Sequence, residues 1–180
     1  MAMYSTLFVA EPASLEHGFR HWLDPDDRWD GHRDLHAGGS VASYPSYLEE
    51  RIPAFVQGQV HWCSKNLSSV ELNPLIRVVT EIGSSELESA ILFPERVSAI
   101  LEAFPVSFGE KLQRAGEFAI RQLAAKWAAV MSTPQFTHSV SGVRVEDDWT
   151  SKTALGLLQP IVDLLRKRTD HETLYLLVEY

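Results

Sequence analysis

The chain has 180 residues, of which 45% are hydrophobic and 22% are charged, a composition typical of a globular protein that buries a core. Its formal net charge of −8 argues against nucleic-acid binding through an extended basic surface, because such binding needs Lys and Arg to neutralise phosphates. We predict a single domain over residues 1–180 and, if the partner is charged, a basic protein partner.

The acidic residues are concentrated in the first 110 positions. Residues 1–60 contain nine acidic and four basic side chains, and residues 61–110 contain seven and three. The remaining 70 residues are close to neutral, with eight acidic and nine basic side chains. This asymmetry predicts that an acidic surface is built mainly by the first part of the chain.

The cysteine content and the length of the apolar runs indicate the cellular compartment of the protein. Cys63 is the single cysteine, which excludes an internal disulfide or a multi-thiolate zinc site and fits a reducing environment. The N-terminus has no basic region before its apolar run, which stops at Glu11, so a secretory signal is not expected. No segment is apolar for long enough to cross a bilayer, and we predict a cytoplasmic protein without membrane contact.

The first predicted elements are a strand and a helix. Tyr4–Ala10 is short, apolar and rich in β-forming residues, and Pro12 ends it. A helix follows, with His17 and Arg20 on its polar side. Its apolar side consists of Leu15, Phe19, Trp22 and Leu23. Asp24-Pro25 ends this helix, and residues 24–44 are predicted to form a loop.

Three helices are predicted in the middle of the chain. The first begins at a capping box of Ser46 and Glu49 and places Ile52, Phe55, Val56, Val60 and Cys63 on one face. The second runs from Asn73-Pro74 to Gly83, with Leu75, Val78, Val79 and Ile82 as its buried stripe. The third starts at Pro94 and continues through Val97, Ile100, Leu101 and Phe104.

The last third of the chain predicts two longer helices and two strands. A helix over 108–131 follows a capping box of Ser107 and Glu110. Its apolar side is Leu112, Ala115, Ala119, Leu123, Trp127 and Val130. A short strand is expected at 142–145. A helix capped by Asp147, Asp148 or Thr150 then runs to Arg168, bent at Pro160, and a strand that is apolar on both faces ends the chain at 174–180.

These elements predict an α+β fold. Strands at the two ends with helices between them indicate a small central sheet in which the terminal strands pair, packed by several helices. We find no internal repeat and no domain linker.

A candidate site lies in the loop after the first helix, where histidines and aspartates are crowded between residues 17 and 36. Two specific interpretations fail. His17 and His21 have the spacing of a zinc-protease helix, but Gly18 stands where the glutamate is needed. Residues 26–37 do not match a calcium loop, because Arg28 and Ala37 occupy carboxylate positions. The side chains that remain candidates for a metal or a polar ligand are Asp24, Asp30, His32, Asp34 and His36.

A solvated loop is the alternative that we favour for this segment. Asp side chains commonly cap helices and form turns, and no spacing here is diagnostic of a metal, so we predict no metal site. Trp22 and Trp29 are expected to anchor the loop to the core. Cys63 is expected to be an inert, buried thiol on its helix, pointing away from His61. Arg77 is expected either to face solvent or to pair with a carboxylate of the acidic loop.

Three segments together resemble the YfbM-like family of bacterial proteins. Leu23-Asp24-x-Asp26-x-x-Trp29 followed by Leu35-His36 is similar to one segment of that family. Asn73-Pro74-Leu75-x-Arg77-x-Val79 and Phe93-Pro94-Glu95-x-Val97 are similar to two others. The resemblance implies an α+β domain and brings no established activity, cofactor or catalytic residue. It marks Asp24, Trp29, His36 and Arg77 as positions to inspect.

Two functions from different classes follow from these observations. The first, which we favour, is a non-catalytic binding module, of an immunity or antitoxin kind, that presents its acidic part to a basic partner. The second is a metal-dependent hydrolase built on the segment 24–36. The candidate ligand-binding residues are Asp24, Trp29, Asp30, His32, His36 and Arg77. The sequence assigns neither catalytic residues nor a cofactor.

Overall fold

The structure is a computed structural model that describes residues 4–23, 53–65, 67–95, 97–133 and 149–179. Its strands form one five-stranded sheet in the order β2-β1-β5-β4-β3. They are β1 (Tyr4–Ala10), β2 (His61–Lys65), β3 (Glu88–Ile91), β4 (Ala99–Ala103) and β5 (Thr173–Glu179). Together with the helices below, this sheet confirms the predicted α+β fold class.

Strands β1 and β5, the first and last of the chain, pair antiparallel along their whole length. The pairing runs from Tyr4 opposite Glu179 to Ala10 opposite Thr173. Strand β5 also pairs antiparallel with β4, so it occupies the middle of the sheet. Its five central residues, 174–178, are all buried. The predictions that the end strands pair and that the last one is apolar on both faces are confirmed.

Two of the predicted helices contain segments that are strands in the structure. The helix that was to carry Val60 and Cys63 on one face is limited, within the described residues, to Ala54–Gln57, and Cys63 lies in β2. The helix predicted from Pro94 to Phe104 is replaced by β4. In β4 a buried Leu101 stands between an exposed Ile100 and a half-buried Glu102, which is the alternation of a strand. An apolar run this short is compatible with both the spacing of a helix and the alternation of a strand.

The helices vary from single turns to seventeen residues. A 3-10 helix at Pro12–Ser14 precedes the short helices α1 (Leu15–Gly18), α2 (Arg20–Leu23) and α3 (Ala54–Gln57). The longer helices are α4 (Ser69–Thr80), α5 (Val106–Arg114), α6 (Glu117–Met131) and α7 (Ser151–Lys167). The chain divides into two compact units, and the prediction of one domain over 1–180 stays a prediction.

The first unit comprises residues 1–67, 89–103 and 168–180 and contains the sheet except for the first residue of β3. Helices α1, α2 and α3 bring their apolar side chains onto one face of this sheet. The cluster they form there consists of Phe8, Ala10, Leu15, Phe19, Trp22, Val56, Leu101, Tyr175 and Leu177. His17 and Arg20 are exposed, as predicted for the polar side of the first helix.

Aromatic rings fill the centre of this cluster. The Phe19 ring lies 5.6 Å from those of Trp22 and Phe55 and 5.4 Å from that of Phe93, measured between ring centroids. Tyr175 stacks on Phe8 at 5.5 Å. Ring pairs at these separations add to the free energy gained by burying apolar area. The predicted helix over residues 12–23 is interrupted at Phe19, whose φ and ψ of −100° and 15° separate α1 from α2.

The second unit comprises residues 68–88 and 104–167 and is helical. Helix α6 packs against α4 and α7, and α5 packs against α4 and α7. Trp127 is completely buried, and its indole N–H donates to the carbonyl oxygen of Glu71 at 2.9 Å. The predicted place of Trp127 on the buried side of its helix is confirmed.

Helix α4 begins earlier than the Asn73-Pro74 pattern predicts. Its N-cap is Ser68, whose hydroxyl oxygen accepts from the Val70 N–H at 3.2 Å, while the Ser68 N–H donates to Glu71 at 2.8 Å. Pro74 therefore lies inside the helix. The helix ends at Thr80, before the expected Gly83, because Glu81 adopts the left-handed conformation at φ 62°.

The predicted helix 108–131 is two helices, α5 and α6. Ala115 and Gly116 between them have extended backbone, with ψ values of 129° and 164°. Gly116 is a weak helix former, and the freed Ala115 carbonyl accepts from the Arg166 guanidinium at 3.4 Å. Ser107 lies inside α5, whose N-cap is Pro105, so the predicted Ser107–Glu110 capping box is wrong.

The helix before the last strand agrees with its prediction. The Thr150 hydroxyl oxygen accepts from the Thr153 N–H at 3.1 Å, so Thr150 caps this helix. Thr150 is the one of the three candidate caps that the structure describes. Pro160 lies inside α7, and Arg166 and Lys167 lie in its last turn. Asp147, Asp148 and the predicted strand 142–145 lie outside the described residues.

Candidate functional site

The predicted ligand-binding residues fall on different parts of the chain. Arg77 is described. The others lie outside the described residues, and these are Asp24, Trp29, Asp30, His32 and His36. The convergence of the Asp- and His-rich segment on a ligand therefore stays a prediction, as does the anchoring of Trp29.

Arg77 links helix α4 to residues 86–87, which follow it in the chain. Its guanidinium donates to the Glu86 carboxylate, and the two side chains are 41% and 48% exposed. One helical turn earlier, the Asn73 side-chain oxygen accepts from the Leu87 N–H at 2.9 Å. The chain over residues 86–87 is thus held against α4 at two points. The described partner of Arg77 is Glu86, and its side chain stays 41% exposed, which agrees with the expectation of a solvent-facing arginine. Pairing with a carboxylate of the acidic loop stays a prediction, because that loop lies outside the described residues.

Histidine 61 and cysteine 63 share one face of strand β2, because side chains two residues apart in a strand point the same way. The prediction that they point apart on a helix is wrong. Cys63, the single cysteine of the chain, is half-buried, and its sulfur lies 3.7 Å from the Thr6 hydroxyl oxygen. The His61 Nδ1 lies 2.9 Å from the Gln59 carbonyl oxygen, which can only accept, so the Nδ1–H donates to it.

Metal-ligating side chains do not gather in the part of the chain that the structure describes. Within those ranges, no group of three or more His, Cys, Asp or Glu side chains is placed so that it could bind a metal ion. His61 and Cys63 therefore provide at most two ligands from described residues. A catalytic or structural metal site in proteins ordinarily needs three or four protein ligands.

Trp22 belongs to the core. Its side chain is 7% exposed and its ring lies 5.2 Å from that of Phe93 in an edge-to-face arrangement. Trp22 therefore packs into the core, while its anchoring of the following loop stays a prediction, because that loop lies outside the described residues.

An acidic surface with exposed apolar side chains lies at the edge of the sheet that is farthest from β2. Strand β3 is terminal in the sheet order, and β4 is its neighbour. We define the β3–β4 edge by the side chains of Glu88, Ser89, Leu92, Glu95, Ile100 and Glu102. Leu92 is 85% exposed and Ile100 is 42% exposed, although both are large and apolar. Glu88, Ser89 and Glu95 are exposed as well.

Glu102 is the half-buried acid of this edge. In β4 it stands opposite Leu176, which is completely buried, so its carboxyl group lies beside apolar surface. Burial raises the pKa of the Glu102 carboxyl above its ordinary value, because the charged form loses hydration. The β3–β4 edge therefore combines acidic groups with apolar side chains that remain in contact with solvent.

Sequence reasoning missed this edge because residues 94–104 were assigned to a helix. The signal that could have found it is the alternation of Ile100, Leu101 and Glu102. With β4 recognised, the acidic and apolar residues before it would have been placed beside a second strand.

Comparisons of the chain with models of known protein families, with curated proteins and with solved structures gave no match. The resemblance to the YfbM-like family stays a prediction. Among the described helices, none combines the length and apolar character that a membrane span requires.

Proposed function

We propose that the protein is an interaction module that binds a basic protein partner through the β3–β4 edge. The observation that carries the proposal is the nearly complete exposure of Leu92 within a stretch whose exposed charged side chains, where described, are glutamates. Leu92 follows directly after β3, and Glu88 and Glu95 lie four positions before it and three after it.

The apolar part of this edge supplies contact area. Protein interfaces have an apolar centre surrounded by a polar rim, and exposed apolar groups that are rimmed by polar residues mark such sites. Leu92 and Ile100 together offer two aliphatic side chains to a partner. Burying one leucine in an interface contributes on the order of 1.5–3 kcal/mol.

The glutamates determine which partner fits. Glu88 and Glu95 have no ion pair with any cation among the described residues, so their charges are available to an incoming Lys or Arg. Acidic surfaces attract basic partners over several ångströms and speed their association, and salt screens this effect. A basic partner is also what the concentration of acid in the first 110 residues predicts.

The hydrolase alternative depends on Asp24, Asp30, His32 and His36. These residues lie outside the described ranges, and no observation on the described residues favours it. It stays a prediction.

Capture from a lysate of the organism that encodes the chain tests the proposal with two matched double variants. Glu88→Lys with Glu95→Lys reverses the edge charges. Glu16→Lys with Glu110→Lys makes the same change of net charge at exposed positions elsewhere. The captured proteins are identified by mass spectrometry, and the leading one is purified and titrated against each variant.

We expect the wild type and the control double variant to retain the same basic protein at low salt and to release it at high salt. The edge variant should bind it at least about tenfold more weakly, which corresponds to about 1.4 kcal/mol. If no protein is retained at either salt concentration, or if the purified protein binds both double variants equally, the proposal is wrong.

A further inference from the structure

Among the described strands, β3 has a neighbour on one side only. In the sheet order β3 is bonded to β4 alone, and none of the other described strands lies beyond it. Every second residue of such a terminal strand directs its N–H and C=O groups away from the sheet, where they can pair with another extended chain. The described backbone hydrogen bonds outside the sheet ladders include none from residues 88–91.

The two terminal strands of the sheet differ in charge. Strand β2 carries Lys65 and no acidic residue, whereas β3 begins with Glu88, and Glu95 and Arg96 follow on the chain to β4. Among these residues the exposed charged side chains that the structure describes are the two glutamates. Leu92, directly after β3, adds an exposed apolar side chain. An extended basic segment is therefore electrostatically matched to β3 and not to β2.

A second copy of this chain fits β3 less well than a basic segment does. Edge-to-edge pairing of two β3 strands would bring acidic segments together, and like charges across paired strands are destabilising. The short length of β3, four residues, and its glutamate are features that protect edges against association between identical chains.

Resting on the proposed function, we infer that the basic partner contributes an extended segment that adds to β3 as a sixth strand. Backbone hydrogen bonds to the outer side of β3 provide the pairing. A Lys or Arg of the segment lies near Glu88 or Glu95, and an apolar side chain covers Leu92. Strand addition to an exposed edge is a recurrent way in which proteins recognise extended peptides.

A peptide selection tests this inference independently of the lysate experiment. A library of random linear peptides is selected on the full-length protein, with counter-selection on the Glu88→Lys, Glu95→Lys double variant. The leading peptide is then synthesised in two further forms. Each form carries N-methyl groups on alternate residues, which removes the backbone donors from one edge of the peptide strand and leaves its charge unchanged.

We expect a basic peptide that loses about tenfold or more in affinity in one N-methylated form and keeps its affinity in the other. Bound peptide should slow amide exchange at β3 and leave the amides of β2 unchanged. The inference is overturned if no selected peptide distinguishes the wild type from the double variant, if both methylated forms bind alike, or if protection appears at β2. A captured basic protein that binds the edge double variant more weakly than the control double variant would then still support the proposed function.

Discussion

At Gly18 the backbone passes against the ring of Phe55 with no room for a side chain. A Cβ atom at this position would overlap Phe55 Cγ, well inside van der Waals contact distance. That ring is held by Phe8 and Phe19 in the aromatic cluster, so it has little freedom to move aside. A glycine at position 18 is therefore needed for its small size.

Replacing Gly18 by alanine should lower the free energy of unfolding by about 1–3 kcal/mol, the usual cost of overpacking a core. The matched control is Gly156→Ala in helix α7, where the added Cβ would have no described atom within 4 Å apart from the backbone of its own helix and its chain neighbours. There the same substitution should raise stability by about 0.5–1 kcal/mol, because alanine favours the helix. Urea denaturation of the three proteins measures both effects, and equal stability of the two variants would contradict the packing described at Gly18.

Glu102 is expected to make the free energy of unfolding depend on pH. Its pKa is raised in the folded state by burial, so the folded protein holds this proton more tightly than the unfolded chain does. Stability from this group is therefore lost as pH rises from the unfolded pKa of a glutamate, about 4.3, through the higher folded pKa. Glu102→Gln should be more stable than the wild type at neutral pH, and the difference should vanish in acid.

Denaturation across a pH series measures this difference, with Glu95→Gln as the control. Glu95 is exposed, and its replacement should change stability by less than about 0.5 kcal/mol at every pH. A Glu102→Gln variant that is less stable than the wild type at neutral pH would mean that the carboxylate has a stabilising partner.

Individual side chains were predictable where one strong signal acted alone. The burial of Leu15, Phe19 and Trp22 follows from their helical spacing, although the helix itself is interrupted. Ile82 was assigned to a buried stripe and is 52% exposed, because Glu81 ends the helix before it. A left-handed glutamate is uncommon, and nothing in the local sequence indicates it.

At the scale of single elements, two Ser-x-x-Glu patterns have different outcomes. Ser68 and Glu71 cap helix α4, while Ser107 and Glu110 lie inside helix α5. The pattern alone does not distinguish them, since Pro105 already provides a helix start before Ser107.

Ser68→Ala should destabilise the protein by about 1 kcal/mol, because the Val70 N–H loses its acceptor. Ser107→Ala should change stability by less than about 0.5 kcal/mol or raise it slightly. Thermal or chemical denaturation compares the two. A larger loss for Ser107→Ala than for Ser68→Ala would show that the helix starts have been assigned wrongly.

Helix prediction succeeded for long segments and failed for short ones. Helix α7 and the strands β1 and β5 agree with their predictions within a residue or so at each described end. Strands β2 and β4 have five residues each, and apolar spacing over so short a stretch does not exclude a helix. Their strand state is fixed by pairing with β1 and β5, which are distant in the sequence.

For the whole molecule, the pairing of the two end strands was predictable from their apolar character, and the sheet order was not. Placing β4 beside β5 and β3 at the end of the sheet depends on long-range pairing that no local pattern encodes. The candidate surface shares this limit: its residues are visible in the sequence, but their position at a sheet edge follows only from the topology. Composition alone predicted one part of the functional hypothesis, namely that the first 110 residues are acidic and would suit a basic partner.

The most direct test of the account is amide hydrogen exchange of the full chain, resolved residue by residue by NMR. We predict slow exchange throughout the central residues of β5, which is bonded on both sides, and alternating slow and fast exchange along β3, whose outward amides face no other described strand. Uniformly slow exchange along Glu88–Ile91 in the free protein would show that this edge is already covered, and it would contradict both the open edge and the partner proposed for it.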